Sequence, residues 1–196
     1  MYNDLLINVT NFFRDPEACK YLKTTLFPKL LKTKKTGEPL RIWVTACSTG
    51  EEAYSMAMLL LEIQETRFRD IPVQIFATDL SNQAVSKARI GVYTKQELEQ
   101  VSPKRLQKFF TRSNGDYRIT QTVRDMCVFA AHNLLSDPPF SRVDFISCCN
   151  LLIYFDTAAQ KKAIETFHYA LNPDGFLLLG KPETVGSSAQ LFSAFN

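Results

Sequence analysis

Apolar positions along this chain alternate between two kinds of run. Phe12, Phe13, Ala18, Tyr21, Leu22, Leu26, Leu30 and Leu31 recur at roughly helical spacing across residues 11–35, with Pro28 as an interruption. The polar stretch KTKKTGEP ends that segment, and the continuous apolar run RIWVTA predicts a buried strand. Tyr54, Ala57, Met58, Leu61 and Ile63 then return to helical spacing. Ser48 with Glu51, or Thr49 with Glu52, has the spacing of a capping box at the start of that helix. VQIFATDL predicts a second buried strand ending in Asp79, and SNQAVSKARIG a short helix capped by Ser81.

The middle of the chain differs. SPKRLQKFF predicts a helix, and TRSNGDYRIT carries the Asn-Gly signal of a tight hairpin. VRDMCVFAAHNLL predicts a strand leaving that hairpin. Beyond it come a buried strand in VDFISCCNLLIYF, an amphipathic helix in DTAAQKKAIETFHYAL, a turn at NPDG and a last strand in FLLLGKPE. Strands that are apolar throughout and alternate with helices predict an α/β fold, a doubly wound, Rossmann-like sheet covered on both faces. Residues 1–35 form a helical lead-in and 36–196 the main domain, with a small antiparallel β insert at about 109–131. Ligands of such sheets sit beyond the carboxyl ends of the strands. That places the chemistry in residues 46–52, 79–80, 132–135, 149–154 and 180–183.

Composition narrows the function without changing that picture. A chain of 196 residues with 45% hydrophobic content suits one domain with a real core. Its 23 basic and 20 acidic residues are well mixed, so no basic stripe for nucleic acid is expected, and Lys32, Lys34 and Lys35 read as a solvated face. Five cysteines without CxxC spacing, no signal peptide and no apolar stretch of about 18 residues predict a reduced, soluble, cytoplasmic protein without membrane insertion. Cys148 and Cys149 are neighbours while His132 and His168 stand alone, so no metal centre is expected.

The segment ACSTGEE follows the first strand, where a helix start offers N–H groups and a positive dipole. A phosphate cradle would need GxxxxGK[ST], and its lysine is missing. Only Gly50 is present of the glycines that let a dinucleotide approach, and Glu51 and Glu52 bring negative charge toward any pyrophosphate. A nucleoside carrying positive charge fits better. S-adenosylmethionine, with its sulfonium and ammonium, is such a compound, and Asp79 stands where a carboxylate can accept hydrogen bonds from ribose hydroxyls. Each residue also has a plain structural role: first-turn glutamates stabilise a helix, and Asp79 can help to begin the next one.

The segments NVTNFFRD, CSTGEEAYSMAM, FATDLS, KARIGVY, HNLL, NLLIYFD and LNPDGFLLLG occur in order across nearly the whole chain. In these it resembles the CheR-type chemoreceptor methyltransferases, which use S-adenosylmethionine to methylate glutamate side chains of bacterial chemotaxis receptors. It looks most like the versions fused to a methylesterase module. The resemblance implies that Asn8, Thr10 and Arg14 contact the cofactor, with Arg14 clamping its carboxylate. It implies Glu51 at the ammonium, Asp79 at the ribose and Asn133 with Leu134 at the adenine. Ala46 and Cys149 would border the cofactor, and Asn150 and Tyr154 would lie beside the methyl group and the incoming glutamate.

Three departures accompany the resemblance. Ala46 stands where relatives commonly have glycine, Cys149 replaces the arginine of the family's RNxxIYF, and Pro182 replaces the serine of its GxSE. The family's helical receptor-recognition domain would precede NVTNFFR and a final strand would follow Asn196, so a module cut from a larger protein is expected. The hairpin around Asn114 and Gly115 corresponds to a small β-subdomain that docks a receptor tail in some relatives. The implied reaction is attack of a receptor glutamate on the sulfonium methyl, giving a methyl ester and S-adenosylhomocysteine. A second reading is a signalling or scaffold module that binds the cofactor without transferring methyl groups, motivated by Cys149 and the missing domain. A nicotinamide-dependent dehydrogenase is disfavoured by the absent glycine fingerprint.

Overall fold

The computed structural model describes residues 10–195. Asp15 opens the first helix, α1 (Pro16–Tyr21), its carboxylate accepting the Glu17 and Ala18 N–H groups. The helix does not break at Pro28. It widens into a π-turn over Leu22–Leu26, where Phe27 N–H reaches back to Leu22 O, and resumes as α2 (Phe27–Thr33). Pro28 thereby falls in the first turn of α2, where a missing N–H costs least.

The first strand, β1 (Leu40–Thr45), leads through a tight turn into α3 (Glu51–Gln64). Neither capping box forms. The helix starts from Gly50 at φ +98°, without a side-chain cap, and the Thr49 hydroxyl donates instead to the Glu51 carboxylate at 2.7 Å. Only glycine suits that position: a Cβ would lie 2.9 Å from Ala88 Cβ and 3.2 Å from the Phe129 ring. The second strand, β2 (Val73–Asp79), is followed by α4 (Asn82–Ile90), whose first turn donates Ala84 N–H to Ser81 Oγ as predicted.

A three-stranded antiparallel sheet comes next. It contains β3 (Val92–Tyr93), β4 (Phe110–Ser113) and β5 (Asp116–Ile119) in the order β3-β5-β4, with α5 (Pro103–Phe109) between the first two. Asn114 and Gly115, both at positive φ, make the predicted hairpin turn. The start of the strand predicted in VRDMCVFAAHNLL is helical, α6 (Gln121–Arg124), and β6 (Cys127–Ala131) pairs with β2. The insert expected at about 109–131 therefore reaches back to Val92, and residues 127–131 belong to the main sheet.

The chain then crosses to β7 (Val143–Cys148), climbs α7 (Thr157–Ala170) and enters β8 (Leu171–Leu179) without a loop. Leu171 pairs with Val143 and Phe176 with Phe145, so the NPDG residues 172–175 bulge against Asp144. The main sheet is parallel throughout, in the order β6-β2-β1-β7-β8. One face buries Ile42, Val44, Ile75, Ala77 and Phe145 with side chains of α2, α3 and the insert. The other buries Trp43, Ile146 and Cys148 against Ala163, Ile164 and Phe167 of α7. The doubly wound architecture read from the apolar runs is thus the observed one. Among the described residues, no helix is long and apolar enough to cross a membrane.

Candidate functional site

Strand order reverses at β1, which has β2 on one side and the later β7 on the other. A crevice beyond the carboxyl ends is the geometric result. Here it is a cavity of about 680 Å³. Thr10, Phe13 and Arg14 wall it ahead of α1, and Ala18, Cys19 and Leu22 continue that wall. Ala46, Ser48 and Glu52 come from the β1–α3 turn and Asp79 from the end of β2. Cys149, Asn150 and Tyr154 follow β7, and Gly180, Lys181 and Pro182 follow β8.

The backbone around this cavity is strained. Phe13, Ala46, Ser48 and Asn150 all line it and all hold left-handed φ values between 48° and 58°. Each such residue costs about 1–2 kcal/mol, and strain of this kind gathers where a ligand must be held.

Asp79 ties two strand ends together. It is 8% exposed, and its oxygens accept the Ser48 N–H and the Ser81 N–H, each at 2.8 Å. Each oxygen retains a lone pair for a ligand donor. Beside it the Ser48 hydroxyl is buried and has no hydrogen-bond partner among the described residues. Such a group is costly unless something polar reaches it, so the donor set fits a polyhydroxylated, cationic ligand.

The two adjacent glutamates diverge because helix positions one apart differ by about 100°. Glu51 is buried away from the cavity wall, its carboxylate held by the Thr49 hydroxyl at 2.7 and 2.8 Å. Burial raises its pKa. Glu52 is the one in the wall. Its carboxylate accepts the Ser147 hydroxyl. Burial pushes its pKa up too, opposed by hydrogen bonds from Ser147 and Cys149 and by the charge of Arg14. The resemblance put Glu51 at the ammonium, whereas the helix phase set by Gly50 turns its neighbour Glu52 into the cavity wall.

Other expected residues are spread unevenly. Arg14 is exposed at the rim, close to the Lys181–Asp15 ion pair at 3.0 Å. Cys149 lines the cavity half-buried, its thiol 3.6 Å from Ser147 Oγ and held protonated by burial. Tyr154 is 43% exposed at the cavity edge. Asn133 and Leu134 do not line the cavity. Asn133 donates its N–H to Asp137 and accepts Leu135 N–H on its side chain, while Leu134 packs in the Trp43 cluster. Asn8 lies outside the described residues. Glu183, the last residue of the expected 180–183 stretch and assigned no contact of its own, is buried behind the cavity at 8% exposure. An acidic residue at the exit of an apolar strand was the signal available for it.

Comparison with known proteins matches this arrangement to one family. Residues 8–196 fit the model described as the CheR methyltransferase, SAM binding domain. Chemotaxis protein methyltransferase 1 of Pseudomonas aeruginosa is 35% identical, covering 92% of this chain and 67% of that protein. Chemotaxis protein methyltransferase 2 of Vibrio cholerae is 31% identical, covering 97% and 67%. An uncharacterized 104.1 kDa protein of Rhodobacter capsulatus is 39% identical over 98% of this chain, which spans 20% of that larger protein. Among solved structures, the glycopeptide N-methyltransferase MtfA complexed with S-adenosylmethionine aligns at TM-score 0.49 and 16% identity, covering 87% of this chain and 53% of that one. This chain belongs to the CheR methyltransferase family, and the region described above is that family's S-adenosylmethionine-binding domain.

Proposed function

We propose that the chain transfers a methyl group from S-adenosylmethionine to glutamate carboxylates in the cytoplasmic domain of a bacterial chemoreceptor, and that it works in the cytoplasm. The observation that carries the proposal is the pair of carboxylates, Asp79 and Glu52, set into one cavity at two neighbouring strand ends. A phosphorylated ligand is disfavoured there and a cationic adenosine compound is favoured.

When bound, the cofactor supplies an electrophilic methyl group. Asp79 is placed to accept ribose hydroxyls, Glu52 to hold an ammonium and Arg14 to clamp a carboxylate. Thr10, Ala46 and Cys149 border the same space. Adenine recognition is assigned to Asn133 and Leu134, whose loop adjoins the ribose site through a 3.0 Å bond from His132 N–H to Asp79 O. Asn150 and Tyr154 face the side from which a substrate enters, and the Tyr154 hydroxyl is available to orient a carboxylate oxygen. A glutamate is already ionised above about pH 4.3, so no strong general base is required. Alignment and desolvation carry the rate.

The test is calorimetry with S-adenosylhomocysteine, followed by transfer of labelled methyl groups to chemoreceptor cytoplasmic fragments. Micromolar-range binding together with alkali-labile label on the fragments supports the proposal. Binding without transfer would make the chain a cofactor-binding scaffold. The family comparisons do not favour that outcome.

A further inference from the structure

Glu183 does not line the cavity, yet four backbone N–H groups converge on its carboxylate. Oε2 accepts Asn150 N–H at 2.9 Å and Gly180 N–H at 2.8 Å. Oε1 accepts Leu151 N–H at 2.8 Å and Leu152 N–H at 2.7 Å. The convergence has a local cause. Asn150 is left-handed at φ 58° and Leu151 right-handed at φ −108°, ψ −47°. That succession turns neighbouring N–H groups into a concavity that binds anions. Such a nest can receive an anionic ligand, and here the protein fills it with its own carboxylate.

We propose that Glu183 is a positioning residue for methyl transfer, holding the segment after β7 so that Asn150 and Tyr154 face the reacting end of the cavity. The proposal deepens the methyltransferase reading and rests on it. Among the described residues, Glu183 is the side chain that reaches the Asn150 and Leu151 N–H groups, while Gln160 secures the far end through Leu152 O and Phe155 O. Bonds to a carboxylate acceptor are strong, so the three on Asn150, Leu151 and Leu152 hold that segment, with Asn150 in its strained conformation, and the fourth ties it to Gly180. The clamp also needs a bare Cα opposite: a Cβ on Gly180 would lie 2.6 Å from Glu183 Oε2 and 3.1 Å from Asn150 N. Glu183 makes no hydrogen bond to Ser48, Glu52 or Asp79, and only its charge bears on Glu52 from behind the wall. Its loss therefore disturbs alignment while leaving most of the cofactor contacts in place.

Glu183→Gln keeps the shape but turns an NH2 group toward donors. In the full chain, this variant should show kcat on a chemoreceptor fragment reduced about 100-fold. The Kd for S-adenosylhomocysteine and KM for the fragment should stay within about threefold. In NMR spectra, the amide protons of Asn150, Leu151, Leu152 and Gly180 should move upfield together as their charged acceptor is lost. If Glu183→Gln fails to fold, Glu183→Asp carries the same test, because its shorter side chain cannot reach all four donors, with the same expected split. Retained kcat with displaced amides overturns the proposal, and so does a Kd that rises in step with the loss of kcat. If the wild-type chain binds S-adenosylhomocysteine but methylates no fragment, the enzymatic reading falls and the positioning role falls with it, whereas failure of the positioning role alone leaves wild-type activity intact.

Discussion

The Glu52 carboxylate accepts a hydrogen bond from the Ser147 hydroxyl, which joins the first turn of α3 to the carboxyl end of β7 beneath the cavity. Burial is the leading influence on Glu52 and raises its pKa from the ordinary 4.5. The native state therefore keeps this proton at pH values where the unfolded chain has released it. Stability from this group is full at the acid end and declines as pH rises through the folded-state value. Glu52→Gln removes the decline, so its melting temperature should gain on wild type as pH rises above the ordinary carboxylate range. Over the same range, wild-type affinity for S-adenosylmethionine should rise with pH while that of Glu52→Gln stays flat. Parallel profiles for the two proteins would show that Glu52 is not the titrating group.

Asp79→Ala should weaken S-adenosylhomocysteine binding by about 1–3 kcal/mol, the usual cost of losing hydrogen bonds to a charged acceptor. The Ser48 and Ser81 N–H groups lose the same acceptor, so the urea midpoint should fall as well. Calorimetry and denaturation separate the two effects. Unchanged affinity would remove the ribose assignment.

Tyr154→Phe should slow methyl transfer about 10-fold or more, as expected for one lost hydrogen bond to a charged oxygen, and leave S-adenosylhomocysteine affinity unchanged. The ring is 43% exposed, so the change should hardly affect stability. Equal losses of turnover and cofactor affinity would make the residue structural.

Gly50→Ala should destabilise the fold by about 2–4 kcal/mol, combining a left-handed backbone with an overpacked side chain. The new Cβ meets Ala88 at 2.9 Å and both Phe129 and the Tyr93 hydroxyl at 3.2 Å. Chemical denaturation measures the loss directly. A near-wild-type midpoint would mean that the α3 start relaxes without moving its neighbours.

What could be read in advance follows from burial. Strands β1, β2 and β7 are covered on both faces, so they appear as predominantly apolar runs such as RIWV and VDFISCC. Val92 and Tyr93 left no such trace because two residues are too few to show alternation. The strand ends located the cavity, and Asp79, Asn150 and Tyr154 all line it. The resemblance named Glu51, and the place of Glu52 in the wall was not legible, since it depends on a φ of +98° at Gly50 that no side-chain pattern records. The bond from Asn133 N–H to Asp137 was not legible either, because it spans four residues of an irregular loop with no periodicity to reveal it. Glu183 was hidden for a similar reason: its partners are backbone groups more than thirty positions away or at a glycine, and main-chain donors have no letter in a sequence.

The π-turn at Leu22–Leu26 splices two helical phases that an unbroken α-helix could not reconcile. Upstream, Ala18, Cys19 and Leu22 look into the cavity; downstream, Phe27, Leu30 and Leu31 lock onto the sheet. Removing one residue from the splice would restore regular α-helical bonding and rotate the upstream half by about 100°. The helix would remain, and the wall of the binding site would swing to the wrong side.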